Sequence, residues 1–114
     1  MKSVVKLSEI TENDISSLKR LIMNYTQHKA EFNVKFWGKD DAGDYHEIAN
    51  MWEVDGSDSL FFVVNRCDFS PTNILSDVTI SWNEYSITFN FYDMDNERIL
   101  YVRIPDCCEI DVDF

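Results

Sequence analysis

The sequence predicts an α+β fold, with one N-terminal helix packed on a mostly antiparallel sheet of about five to seven strands. One stretch near the N-terminus has apolar residues at helical spacing, whereas most of the remainder alternates apolar and polar residues. A run of strands after a helix is typical of the α+β class. The length of 114 residues fits a single domain over 1–114, and 45% hydrophobic residues suffice for a packed core.

The helix is predicted over residues 12–28. Thr11 is a suitable N-cap, and Asp14 three residues later makes the arrangement close to a capping box. Acidic residues lie near its start and basic residues from its middle to its end, the order that favours the helix dipole. Its apolar stripe consists of Ile15, Leu18, Leu21, Ile22 and Tyr25.

The strands are predicted from their period of two. A half-buried strand over 31–36 is followed by a polar loop, and a central strand covers 60–66 because both of its faces are apolar. Residues 45–53 are ambiguous between helix and strand, and residues 67–76 are predicted to be a loop. Further strands are predicted at 77–82, 85–92, 99–104 and 109–114. Trp37 and Trp82 are predicted to be core residues.

The charge is distributed unevenly along the chain. Residues 1–39 carry seven Lys/Arg and four Asp/Glu, a net of +3, whereas residues 40–114 carry three and seventeen, a net of −14; the sum is the formal −11. Useful surface charge for a small domain is about two to eight, so this excess favours a role in binding a basic partner. The alternative is a solubilising surface whose charges block sheet edges.

The acids that would steer such a partner cluster in predicted turns and on the last strand. Glu109, Asp111 and Asp113 share one side of that strand, at a spacing of roughly 6.6–6.8 Å. Nearby tyrosines are candidate anchors, since aromatic residues dominate binding hot spots. The predicted partner-binding residues are Asp40, Asp41, Asp44, Glu53, Asp55, Asp58, Asp93, Asp95, Glu97, Glu109, Asp111, Asp113, Tyr85 and Tyr92.

No catalytic motif supports an enzyme, and we predict that the chain is not one. The two histidines, His28 and His46, accompany no nucleophile signature. The cysteines and histidines lack zinc-ligand spacing. The Asp93–Glu97 run has Arg98 where a calcium loop needs glycine, so we interpret it as a solvated hairpin turn. Three glycines provide no phosphate-binding loop. We therefore predict neither metal nor cofactor.

The same composition sets expectations for compartment and partners. The N-terminus has no apolar signal region, and the longest apolar run, Leu60–Val64, is too short to span a bilayer. Three cysteines, an odd number, favour reduced thiols in the cytoplasm. Direct nucleic-acid binding is disfavoured because the aromatics are interleaved with acids and not with Lys and Arg.

In size, acidity, cytosolic character and lack of catalytic motifs, the chain resembles small acidic immunity proteins of bacterial toxin systems, including those paired with contact-dependent inhibition toxins. This resemblance implies a cytosolic protein that neutralises a cognate toxin, often a nuclease. The first hypothesis is thus an inhibitor that blocks a basic active or nucleic-acid-binding surface. One alternative is a phage-type DNA mimic that disarms a defence protein. Another is a small enzyme with a carboxylate and a tyrosine in a sheet-lined pocket.

Overall fold

A computed structural model describes residues 2–23, 33–53, 60–64, 67–69 and 76–113 of the chain. Within these residues the chain forms one helix and nine strands. The helix α1 spans Glu12–Met23. In chain order, the strands are β1 (Lys2–Lys6), β2 (Asn33–Lys39), β3 (Tyr45–Glu53), β4 (Leu60–Val64), β5 (Cys67–Phe69), β6 (Asp77–Trp82), β7 (Ser86–Tyr92), β8 (Arg98–Pro105) and β9 (Glu109–Asp113).

The strands form two antiparallel sheets. The larger sheet has the order β1-β9-β2-β3-β4-β5 and the smaller one the order β6-β7-β8. Every strand pair among the described residues is antiparallel, and α1 packs against β6. The predicted α+β class is therefore confirmed, with two sheets where the sequence suggested one.

A single hydrophobic core joins the helix and both sheets. The rings of Phe36 in β2 and Phe89 in β7 meet edge-to-face with centroids 5.8 Å apart, a favourable geometry for aromatic pairs. The core-facing residues of the two sheets therefore pack against each other. The largest fully buried side chains are Phe36, Phe89, Phe91, Leu18, Ile22, Met51, Ile87, Ile104, Ile110 and Val34.

The start of α1 is confirmed by its cap. The Thr11 N–H donates to Asp14 Oδ2 at 2.9 Å, and the Asp14 N–H donates to Thr11 Oγ1 at 3.2 Å. These reciprocal bonds make a capping box with Asp in the place of the usual Glu. Lys19 on the helix also forms an ion pair with Asp77 of β6, with Nζ and Oδ1 2.8 Å apart. The predicted helical residues 24–28 lie outside the described residues.

A β-bulge explains why residues 45–53 were ambiguous. In the β2–β3 pair, Phe36 lies opposite Ala49 and Trp37 opposite Glu47, so Ile48 is an extra residue. Ile48 packs against the core beside Ala49 and the buried Met51. The bulge interrupts the period of two and places apolar residues three positions apart, a spacing that imitates a helix.

Three details of the sequence prediction are wrong. The segment predicted as the loop 67–76 begins with β5, a strand of only three residues. The strand β1, which the sequence analysis did not identify, precedes the helix and pairs with β9. Trp37 is half-buried on the face of β2 opposite Phe36, so it is not a core residue. Trp82, in contrast, packs against the core as predicted.

Candidate functional site

Three connections meet at one end of the molecule, which we call the junction end: residues 38–45, 83–86 and 106–109. The Cys107 N–H donates to the Tyr85 carbonyl at 3.0 Å and the Cys108 N–H donates to the Trp37 carbonyl at 2.8 Å. The Leu7 N–H donates to the Cys108 carbonyl at 2.8 Å. These backbone bonds hold the β6–β7 turn, the β8–β9 connection and the base of the β2–β3 hairpin side by side.

Close backbone packing explains two unusual positions in this junction. A Cβ on Gly38 would lie 2.7 Å from the Asp106 carbonyl oxygen, so only glycine fits there. Asp106 itself has a φ of 58°, a left-handed conformation that Asp adopts more readily than most residues. The chain thus reverses direction after Pro105 while remaining in contact with β2.

The acidic hairpin of the junction end, Asp40–Asp44, is stabilised by the carboxylate of its first residue, Asp40. The backbone N–H groups of Ala42 and Asp44 both donate to Asp40 Oδ1 at 2.9 Å. Gly43, with a φ of 85°, supplies the left-handed residue before the chain re-enters the sheet. Asp40 therefore has a structural role, whereas Asp41 and Asp44 are exposed.

Two tyrosines stand exposed among these acids. Tyr85, in the β6–β7 turn, is 71% exposed and Tyr45, at the start of β3, is 43% exposed. The turn beneath Tyr85 is held by Asn83, whose Oδ1 accepts the N–H groups of Tyr85 and Ser86 at 2.8 and 2.9 Å. The Lys39 ammonium lies 4.8 Å from the centroid of the Tyr45 ring. The interaction with Tyr45 also raises the pKa of Lys39 above its ordinary value.

The second acidic hairpin, Asp93–Glu97, lies at the other end of the smaller sheet, which we call the distal end. It is separated from the β6–β7 turn by the seven residues of β7, roughly 20 Å of strand. Its carboxylates are Asp93, which caps the turn, and the exposed Asp95 and Glu97. This position confirms the hairpin turn predicted for the run. It also shows that the two acidic hairpins do not form one surface.

The acids of β9 lie beside lysines of the larger sheet. Glu109 is half-buried opposite Lys6 of β1, and Asp111 lies opposite Lys35 of β2. Asp111 is only 9% exposed, so a partner has little access to it. Asp113 lies opposite Lys2 in the backbone register. Because Glu109 and Asp111 have lysines as cross-strand neighbours, their contribution to an outward field is reduced.

Of the four remaining predicted residues, two lie in described strands and two lie outside the described residues. Glu53 is the last residue of β3, opposite Leu60 in the register. Asp55 and Asp58 lie outside the described residues. Tyr92 is half-buried at the end of β7 and close in the chain to the distal hairpin.

Sequence reasoning missed two acids of the junction end, Glu84 and Asp106. Both are exposed. Glu84 precedes Tyr85 in the chain, and Asp106 precedes Cys107, whose N–H donates to the Tyr85 carbonyl. The turn at Asn83-Glu84 could have identified Glu84, but the position of Asp106 next to Cys107, which is bonded to Tyr85, depends on the strand order. The exposed carboxylates of the junction end and the ring of Tyr85, which is 71% exposed, can bind cationic side chains, whereas the Tyr45 ring already has Lys39 against it.

The two cysteines of the junction are thiols with different surroundings. Burial, and then the neighbouring Cys108, raises the pKa of the Cys107 thiol to about 12. Burial, and then Glu109, raises the pKa of Cys108 above its ordinary value. Both are free cysteines, and neither has the lowered pKa of a reactive nucleophile.

The described part of the chain contains no group of three or more His, Cys, Asp or Glu arranged to hold a metal ion. It also contains no helix with the length and hydropathy needed to cross a membrane. No protein family, curated protein or solved structure matches the chain.

Proposed function

We propose that this chain is an inhibitor of the immunity-protein type that binds a basic protein through its junction end. The observation that carries this proposal is that two exposed tyrosines, Tyr45 and Tyr85, lie at the same end as the exposed carboxylates Asp41, Asp44 and Glu84. Exposed aromatic side chains provide anchors, and carboxylates around them accelerate the approach of a cationic surface.

The proposed partner is a nuclease toxin. The two proteins would meet in the cytoplasm. A nuclease must bind phosphates, so its active surface is basic and is complementary to a surface rich in carboxylates. Tyr85 would contact the cationic side chains of that surface, while Asp41, Asp44 and Glu84 set the rate of encounter. The distal hairpin, roughly 20 Å away along β7, would lie outside the contact.

The first experiment identifies the partner and measures inhibition. The wild-type chain and the Tyr85→Ala variant serve as baits for affinity capture, and proteins retained only by the wild type are produced as recombinant proteins. Plasmid DNA degradation by such a protein should fall to zero at a one-to-one ratio with the wild-type chain. If no protein is retained differentially, or if retained proteins are not inhibited, the proposal is wrong. Inhibition of several unrelated DNA-binding proteins would instead support a DNA mimic.

The second experiment separates position from net charge. The Asp41→Asn/Glu84→Gln variant removes two carboxylates at the junction end, and Asp95→Asn/Glu97→Gln removes the same two types at the distal end. Association measured by stopped flow should slow about tenfold for the first variant and less than about twofold for the second. The wild-type association rate should also fall steeply with added salt. Equal effects of the two variants would contradict a site at the junction end.

The third experiment tests the aromatic anchor. Tyr85→Ala should increase the dissociation rate by about 10- to 100-fold and leave the association rate nearly unchanged. The control is Tyr101→Ala, which removes an exposed tyrosine from the smaller sheet, where Tyr101 is 49% exposed. Equal changes of the dissociation rate in the two variants would show that Tyr85 is not an anchor of the contact.

A further inference from the structure

The outer edge of β8 has backbone groups available for pairing. β8 is the last strand of the smaller sheet, and none of the described strands lies on its far side. The carbonyls of Ser86 and Tyr92 accept bonds from Asn83 and Ser76 on the β6 side of β7. By alternation, Ile87, Phe89 and Phe91 of β7 therefore bond toward β8, where their partners are Ile104, Val102 and Leu100. The N–H and C=O groups of Tyr101 and Arg103 thus point away from the sheet.

The side chains along this edge differ in charge from the rest of the region. Residues 98–105 contain two arginines and no acid, although residues 40–114 carry a net −14. Tyr101 is 49% exposed, and the Arg98 guanidinium lies 5.4 Å from the centroid of its ring. Arg98 Nη1 also donates to Asn90 Oδ1 at 3.3 Å. Tyr101 and Arg103 lie on the outer face, since Val102 between them is buried.

We propose that two copies of this chain associate by antiparallel pairing of their β8 edges, with the two-fold axis at Val102. In this register Tyr101 of each copy lies opposite Arg103 of the other, and the pairing forms four backbone hydrogen bonds. Residues directly opposite in an antiparallel pair lie on the same face. Each tyrosine ring therefore receives a guanidinium from the second copy, and the two Arg103 side chains do not face each other. The strand is complementary to itself, which favours a second copy over an unrelated strand.

The ends of the strand determine how much of it can pair. A register shift lies between Phe91 and Tyr92 opposite the start of β8, and Pro105 lacks an N–H. These features confine the pairing to Leu100–Ile104 and specify one register. The contact is small, and each copy carries a formal charge of −11, so the dimer should form only at high protein concentration. Salt screens the repulsion between the copies and should strengthen the dimer.

Sedimentation equilibrium between micromolar and millimolar protein tests the proposal. The mass of the wild-type chain should rise from 13.4 kDa toward twice that value, and rise further with salt. Arg103→Pro removes an N–H that is not bonded to β7, a position where an edge strand tolerates proline. This variant should remain at the monomer mass throughout. Arg103→Gln should weaken the dimer more than Thr79→Glu, which makes the same change in net charge on β6.

Amide hydrogen exchange of the wild-type chain provides a readout that needs no variant. The amides of Tyr101 and Arg103 should become at least tenfold more protected as concentration rises, while Val102 stays protected throughout. A chain that stays monomeric at millimolar concentration and high salt would overturn the proposal. So would a dimer that persists in Arg103→Pro, or protection confined to other amides. Because the proposed toxin complex weakens with salt, failure of one proposal is distinguishable from failure of the other.

Discussion

The two acidic hairpins have the same local structure in different surroundings. In Asp40–Asp44 and Asp93–Glu97, the first Asp accepts two backbone N–H groups, from the residues two and four positions later. In both, the fourth residue has a positive φ, 85° for Gly43 and 61° for Asn96. The first hairpin, however, extends from the junction end beside two exposed tyrosines, whereas the second carries the exposed Met94. Local sequence decides the turn, and tertiary position decides its chemical neighbours.

The largest expected loss of stability comes from a substitution that disrupts the backbone packing beneath the first hairpin. Gly38→Ala should lower the free energy of unfolding by about 2–3 kcal/mol, because the new Cβ would lie 2.7 Å from the Asp106 carbonyl oxygen. Gly43→Ala is the control, since its Cβ would meet nothing within 4 Å and only the positive φ is unfavourable, at about 1 kcal/mol. Urea unfolding measures both. Equal losses would show that the junction is not tightly packed.

The next prediction tests whether the two hairpins are locally equivalent. Asp40→Ala and Asp93→Ala each remove an oxygen that accepts two backbone N–H groups. Each should lower the free energy of unfolding by about 1–2 kcal/mol, and by similar amounts. Asp41→Ala and Asp95→Ala, which remove exposed acids, should change it by less than about 0.5 kcal/mol. Urea unfolding that gives unequal losses for Asp40 and Asp93 would mean that their surroundings contribute.

A smaller effect distinguishes the left-handed residues of the two hairpins. Asn96→Ala should destabilise the chain by about 1 kcal/mol, because alanine tolerates a positive φ less well than asparagine. Asn96→Gly should remain within about 0.5 kcal/mol of the wild type, since glycine adopts this conformation freely. Thermal unfolding of the three proteins measures the order. An Asn96→Ala variant as stable as the wild type would show that the distal hairpin can adopt another turn.

A pH dependence at the junction appears only in alkaline solution and leaves the stability at neutral pH unchanged. Cys107 has an ordinary pKa of 9.0, raised to about 12 in the folded chain. Its neutral thiol therefore contributes stability that is fully present below pH 9 and is lost as the pH rises from 9 toward 12, where the unfolded chain ionises first. Denaturant unfolding should show a shallower decline in that range for Cys107→Ala. An identical decline in both proteins would remove Cys107 as its cause.

Iodoacetamide labelling provides an independent check on the two thiols. Cys108 should react before Cys107, because Cys107 is buried and Cys108 is only half-buried. Preferential labelling of Cys107 in the folded chain would contradict the described packing of the junction.

Much of the local structure could be predicted because its signals lie within a few residues. The capping box at Thr11 and Asp14, the alternation in β7 and β8, and the turn at Asp93 all depend on neighbouring residues. The N-terminal strand β1 could not be predicted, because its sequence, with Val4 and Val5 adjacent, does not alternate apolar and polar residues, and its pairing with β9 joins distant parts of the chain. Residues 45–53 remained ambiguous between helix and strand because the bulge at Ile48 interrupts the local period.

The candidate site was only partly predictable. The sequence identified Asp41, Asp44 and Tyr85 as acids and an aromatic in polar connections, and they lie exposed at one end. It also grouped the acids of the two hairpins and of β9 as one negative region. The fold instead places the hairpins at opposite ends and Asp111 in an interior strand beside Lys35.

The sequence by itself determined the helix cap, most strand periods and the Asp-based turns of this protein, because each depends on hydrogen bonds or periodicity over a few residues. Only the tertiary structure decided which carboxylates are exposed together with tyrosines and which lie opposite lysines. The physical reason is that strand order brings β1, β9 and β2 side by side. That pairing depends on burial of the whole core, a property that no single segment encodes.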